Sequence, residues 1–243
     1  IDKKTKLISI SHIPTGGGLI NPAHDVGRIA KKYAIPFLLD ACQSVGQIHL
    51  DVKAIGCDFL SGTGRKYLRG PRGTGFLYVQ EDWIERLEPP LLDQFAAELI
   101  DARTYEVRTD AKRFENWERY FAGQAALGKA VDYAMELGLK TIERRVFDLA
   151  ACLRTELQET GFVTLTDQGA KKCGLVTFEH LRLNAEQVKI QLSNHKINVS
   201  TSSGSGMKLS YLDRGLEGLV RASVHYYNTE DEINKFIEVL RSL

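Results

Sequence analysis

The sequence predicts an α/β protein: part of a large domain with a mostly parallel sheet, then a smaller α+β domain. Three observations carry this. A strand, a helix and a strand follow one another between Leu7 and Asp40, which is a βαβ unit. The second of those strands, PFLLD from Pro36 to Asp40, is a compact apolar run ending in an acid, as in a parallel strand buried on both faces. Past residue 140 the order changes to short strands with interspersed helices, so a boundary is placed there, giving domains over 1–140 and 141–243.

The elements follow in order. Leu7 to Ser11 reads as a short buried strand. Asn21-Pro22 opens a helix to about Tyr33, with proline in the first turn, where its missing N–H is no loss. After Pro36 to Asp40, further strands are expected at Asp58 to Ser61 and Gly75 to Val79. Glu88 to Glu118 has broken periodicity, many charges and Pro89-Pro90, and is expected to be a long loop, a kind that is usually functional or disordered. Phe121 to Leu139 has helical apolar spacing, and a second helix runs on to about Glu159. Strands are then expected at Val163 to Leu165, Leu175 to Phe178, Ile197 to Ser200 and Val220 to Val224, and helices at Ala185 to Asn194 and Glu230 to Leu243.

Composition narrows the function. Lys plus Arg is 32 against 31 for Asp plus Glu, a net charge of +1, which gives no reason to expect a nucleic-acid or membrane partner. No uncharged apolar run has the length of a bilayer span, and the N-terminal IDKKTKLISIS lacks the apolar core of a signal peptide. Cys42, Cys57, Cys152 and Cys173 show no CxxC spacing and no accompanying His cluster. Neither a disulfide framework nor a metal site is expected, and reduced thiols in a cytoplasmic protein are. The chain starts at Ile1, a few residues before a strand, as a fragment would.

Three groups of residues carry chemistry. Asp40 closes a buried strand and Gln43 follows in DACQ. Ligands of open α/β sheets bind beyond the carboxyl ends of the strands, where a carboxylate can pair with a protonated ring nitrogen and a Gln can reach a phenolic oxygen. DACQ by itself reads first as a helix N-cap, for which Asp is well suited. SGTGRKYLRGPRGTGFLYV, from Ser61 to Val79, has glycines that let backbone N–H groups approach a phosphate, the hydroxyl of Thr63, the guanidinium of Arg65 and the amine of Lys66. Its composition alone reads as a solvated basic loop. VRASVHYYNTEDEI, from Val220 to Ile233, places Arg221 in a strand, where its fork suits a carboxylate or a surface salt bridge.

Taken with SHIPTGGGLINP, DACQSVGQIHLDV and RFENWE, the order of these segments resembles the class V aminotransferase family of fold-type I pyridoxal-phosphate enzymes, the group of cysteine desulfurases, isopenicillin-N-epimerase-like proteins and C–S lyases. The resemblance implies a pyridoxal-phosphate-binding large domain over 1–140 and the cofactor pyridoxal 5'-phosphate. It implies Lys66 as the catalytic Schiff-base lysine, Asp40 on the pyridinium nitrogen, Gln43 on the ring hydroxyl, and Thr63 and Arg65 on the phosphate. It also implies Arg221 on the substrate α-carboxylate and Thr15 where relatives place an Asn near the substrate. An amino-acid substrate would lose its Cα proton to Lys66. The outcome is open between transamination, the broadest reading, and C–S cleavage or epimerization. A homodimer with a shared active site is implied, with Asn116 to Glu118 of RFENWE near the neighbouring cofactor.

Two departures from the family stand out. Desulfurases carry a persulfide-forming Cys shortly before the carboxylate arginine, and the loop from Ser200 to Gly215 has none. Relatives also have an earlier segment that covers the cofactor, which this sequence does not contain. A non-catalytic dimeric scaffold of the same fold is the reading from another class; Lys66, Asp40 and Gln43 together argue against it. A dinucleotide-binding module is disfavoured because Gly16-Gly17-Gly18 lacks the required glycine spacing. His12, His24, His49, His180 and His195 have no partners at ligand spacing, and core or surface roles are expected of them; His225, just after Arg221, is a candidate to face the cleft.

Overall fold

The computed structural model describes residues 1–203 and 207–243; residues 204–206, part of the segment from Ser200 to Gly215 noted above for lacking a cysteine, lie outside the described residues. The chain divides into two compact units, one of residues 1–10, 22–42 and 50–133, the other of residues 11–21, 43–49 and 134–243.

The first unit is built on a four-stranded sheet in the order β1 (Ile8–Ser11), β2 (Phe37–Asp40), β3 (Phe59–Thr63) and β4 (Gly75–Val79). β2 and β3 are parallel, with Asp40 opposite Ser61, and β4 returns antiparallel, with Gly75 opposite Thr63. Phe37, Leu39 and Leu60 are buried, as the continuous apolar run of β2 requires. Helix α1 (Ala23–Lys32) buries Ala23, Gly27 and Ala30. A Cβ on Gly27 would stand 1.9 Å from the carbonyl oxygen of Ile55, so α1 meets the short α2 (Val52–Ile55) backbone to backbone. Asp51 caps α2 by accepting from the N–H groups of Lys53 and Ala54, and Gly56 ends it at φ 73°. Asp58 ties strand starts together, accepting from Phe37 N at 2.8 Å and from Trp83 Nε1 of α3 (Glu81–Ile84) at 2.9 Å.

The long loop expected from Glu88 to Glu118 contains structure. Strands β5 (Ala97–Leu99) and β6 (Tyr105–Val107) form a hairpin, and a 3₁₀ turn spans Ala111–Phe114. These strands, AEL and YEV, lie among charged residues, so no apolar run marks them in the sequence. Helix α4 (Phe121–Leu137) follows, and Gly138, at φ 84°, separates it from α5 (Leu139–Glu159), giving the two successive helices expected.

The second unit holds an antiparallel sheet in the order β7 (Val163–Leu165), β8 (Leu175–His180), β10 (Gly218–Ser223), β9 (Ser200–Ser203). Its alternate residues Val176, Phe178, Val220 and Ala222 pack on α5, α6 (Ala185–Asn194) and α8 (Glu230–Arg241) in one apolar cluster. Capping boxes start α6 at Asn184 and α8 at Thr229. α7 (Lys208–Arg214) lies between β9 and β10. The strand expected at Ile197 to Ser200 begins instead at Ser200. Ile197 and Val199 pack against the apolar cluster before the strand, while the polar STSS pairs through its backbone with β10.

Residues 11–21 and 43–49 are bonded into the second unit. Gly18 O accepts from Cys173 N at 2.8 Å, Lys171 O from Ile20 N at 3.1 Å, and Gln47 Oε1 from Gly174 N at 3.1 Å. Beside them lies a buried ion pair. Arg154 Nε meets Asp167 Oδ2 at 2.5 Å, with side chains 11% and 0% exposed, and the other Asp167 oxygen accepts from the backbone and hydroxyl of Thr177. No helix of the described residues is long and apolar enough to cross a membrane.

Candidate active site

The first unit brings Asp40, Thr63, Arg65 and Lys66 to the carboxyl ends of two neighbouring parallel strands, where open α/β sheets bind ligands. Asp40 is the last residue of β2. The capping reading of Asp40 does not hold, because turns rather than a helix follow it. Its Oδ1 accepts from Cys42 N at 3.0 Å, which fixes the carboxylate at the strand end. Thr63 is the last residue of β3, and Lys66 follows three positions later, half-buried between exposed Arg65 and buried Tyr67.

The loop carrying Lys66 is not a loose basic segment. Gly64 N donates to Thr74 O at 2.9 Å, Gly70 N to Gly64 O at 2.7 Å, and Arg69 N to Lys66 O at 2.9 Å. A Cβ on Gly64 would stand 2.3 Å from Thr74 Oγ1 and 2.8 Å from Leu127 of α4. The glycines therefore permit a close-packed turn that presents Lys66 on a rigid base. Cys42, beside Asp40, has its thiol pKa raised by burial and then by the neighbouring carboxylate.

In the second unit, Thr15, Gln43 and Arg221 form one hydrogen-bonded group. Arg221 Nη1 donates to the carbonyl of Thr15 at 2.9 Å and to its hydroxyl at 3.0 Å. Gln43, buried, donates from Nε2 to the same hydroxyl at 3.0 Å. A hydroxyl that accepts twice keeps its own hydrogen to donate. Arg221 Nε donates to Ser200 Oγ at 3.0 Å, a contact that no sequence pattern announced. Arg221 stands on the sheet face opposite the helices, in one row with Ser200 of β9 and Thr177 of β8.

Two other residues singled out in the sequence have contacts of their own. His225 is buried and stacks on Tyr227 with ring centroids 4.3 Å apart and 20° between planes. Trp117 donates its backbone N–H to Asp93 at 2.6 Å and sets its ring edge-on to Phe95. Among the described residues no cluster of His, Cys, Asp and Glu is placed to hold a metal ion.

The chain is 31% identical to a probable cysteine desulfurase of Pyrococcus abyssi, over 99% of this chain and 60% of that protein. The apo structure of a cysteine desulfurase from Thermococcus onnurineus superposes with a TM-score of 0.92 at 30% identity, covering 98% of this chain and 59% of that one. A cystine C–S lyase in complex with its product cysteine persulfide shares the fold at a TM-score of 0.87 and 22% identity, covering all of this chain and 62% of that one. The chain thus spans about 60% of the length of the relatives it matches. Pyridoxal phosphate is the cofactor this family uses. The family profile described as Aminotransferase class-V matches residues 1–236, and the chain belongs to that family.

Proposed function

We propose that the protein is a pyridoxal-phosphate-dependent enzyme acting at the Cα of an amino acid. The observation that carries this reading is the placement of Asp40 at the carboxyl end of β2 and of Lys66 three residues past that of the adjacent parallel strand β3. The residues present fit the cofactor. They offer an acceptor-only carboxylate for a protonated ring nitrogen, a hydroxyl and a guanidinium for phosphate, and an amine on a rigid glycine-rich turn for the aldehyde. Lys66 would hold the group, Asp40 its ring nitrogen, Gln43 its ring hydroxyl, and Thr63 and Arg65 its phosphate. When bound, it supplies an electron sink for the bond being broken at Cα.

The chain's own groups do the rest. Arg221 orients the substrate through its α-carboxylate, with Thr15 beside it, and Lys66 Nζ takes the proton from Cα. Asp40 keeps a proton on the ring nitrogen. Transamination, epimerization and C–S cleavage share this start. C–S cleavage with release of sulfur to solution has a specific observation in its favour. The relatives are cysteine desulfurases, yet this chain has no cysteine between Ser200 and Gly215 to take up sulfur. We also propose a homodimer, supported by the exposed aromatic residues Trp117, Tyr120 and Phe121 next to Asn116 to Glu118.

Borohydride reduction tests the assignment. Wild-type protein with pyridoxal phosphate should retain covalently trapped cofactor on the peptide containing Lys66, and Lys66→Ala should retain none. Undiminished trapping in the mutant refutes it. A non-catalytic scaffold would bind no cofactor in either protein.

A further inference from the structure

Arg221 is held through Nε and Nη1 by groups of the chain itself. We propose that Ser200 is a positioning residue for Arg221, setting the guanidinium so that a substrate carboxylate meets Nη2; this rests on the reading of Arg221 as the carboxylate-binding group. Ser200 lies directly opposite Arg221 in the antiparallel pair of β9 and β10. Opposed Cβ atoms stand about 4.5–5.5 Å apart, so a one-carbon hydroxyl reaches the near end of the guanidinium and leaves the far end clear. That near end is where the contact falls, Nε to Oγ at 3.0 Å. Thr15 takes Nη1 with both its carbonyl and its hydroxyl. None of the described residues accepts a hydrogen bond from Nη2.

The other neighbour across the sheet cannot serve. Thr177, opposite Arg221 on β8, is fully buried; its hydroxyl donates to Asp167 and accepts from Thr166, each at 2.9 Å. Ser200 is therefore the cross-strand group available to hold Nε. A long arginine side chain loses rotamer freedom when its guanidinium is fixed. Fixing Nε and Nη1 in advance removes part of the ordering cost from substrate binding. Losing the Ser200 hydroxyl should weaken carboxylate binding and leave the chemistry of bound substrate alone.

The experiment titrates holoenzyme with glycine and with glycinamide, following the cofactor's absorption, so that binding is read without turnover. The two probes share an amine and differ in the carboxylate. Ser200→Ala should weaken glycine about 3- to 10-fold, the worth of one positioning hydrogen bond. It should leave glycinamide unchanged and raise KM for an amino-acid substrate rather than lower kcat. Ser200→Thr keeps the γ-hydroxyl and should restore most of the preference. Arg221→Ala should abolish the preference for glycine. Full preference in Ser200→Ala together with its loss in Arg221→Ala overturns the positioning role and leaves the reading of Arg221 intact. Equal weakening of both probes by Ser200→Ala marks general damage and also overturns the role. Retained preference in Arg221→Ala removes the carboxylate reading, and the positioning role with it.

Discussion

Asp40 separates a catalytic carboxylate from a structural one more sharply than any other residue here. A carboxylate whose only task is to cap or close a turn contributes about 1 kcal/mol of stability and nothing to kinetics. Asn in its place keeps an oxygen able to accept from Cys42 N, so the turn survives the substitution. What Asn cannot do is stabilise a positive charge on a ring nitrogen. Asp40→Asn should therefore leave the melting temperature within a few degrees of wild type and lower kcat about 100-fold, the scale of a lost proton-holding group. Equal kcat in the two proteins would return Asp40 to a structural role. Taken singly, the segments of Asp40, Lys66 and Arg221 read as a helix cap, a solvated basic loop and a surface arginine; only their order along the chain, which resembles the family, singled these residues out. Ser200 was not singled out. Its role comes from strand register, and the group it joins closes across the 206 residues between Thr15 and Arg221.

Helices with long apolar periods were readable: α1, α5 and α8 carry that spacing over ten or more residues. Among the elements of three or four residues, the apolar β2 and β7 were legible, whereas α2, α3 and the more polar β5–β6 hairpin were not. β9 shows the other failure: its apolar residues serve the core from outside the strand, and its paired residues are polar. Nor does anything in the composition announce that residues 11–21 and 43–49 belong with the C-terminal half. The start of α8 was legible, and its physics is testable. Glu230 sits in the first turn, where the helix dipole favours an anion, and Arg145 Nη2 reaches its Oε2 at 3.0 Å. The Arg145 hydrogen bond, then the backbone, hold the Glu230 pKa down to about 2. A carboxylate depressed on folding stabilises the folded state above its unfolded pKa, and that contribution disappears as pH falls through the folded value. Wild type should therefore lose this stability between about pH 4.5 and 2, and Glu230→Gln should flatten that part of the curve of melting temperature against pH. The pair is exposed, so added salt should shrink the difference. An identical acid limb in the mutant would mean that the pair is inert.

At the scale of the whole chain, the thiols bear on the proposed C–S cleavage. A relay that stores sulfur on the protein needs a thiolate that is both accessible and easily formed. The four cysteines lie at Cys42, Cys57, Cys152 and Cys173, none of them between Ser200 and Gly215. Burial pushes the Cys57 and Cys173 thiols up to about 11, and both side chains are buried. Cys42 and Cys152 are partly exposed, but burial raises their pKa values too, followed by Asp40 for Cys42 and Glu156 for Cys152. At neutral pH each is predominantly a thiol and a poor sulfur acceptor. If the holoenzyme cleaves the C–S bond of L-cysteine, the sulfur should therefore leave as a small molecule. Intact-mass spectrometry without reductant should find the protein mass unchanged after turnover, while sulfide accumulates in solution. A sulfur adduct mapped to Cys42 or Cys152 would instead make that residue the acceptor and place the enzyme among the desulfurases that pass sulfur through a protein thiol. Turnover of other amino acids with none of L-cysteine would shift the assignment to transamination or epimerization.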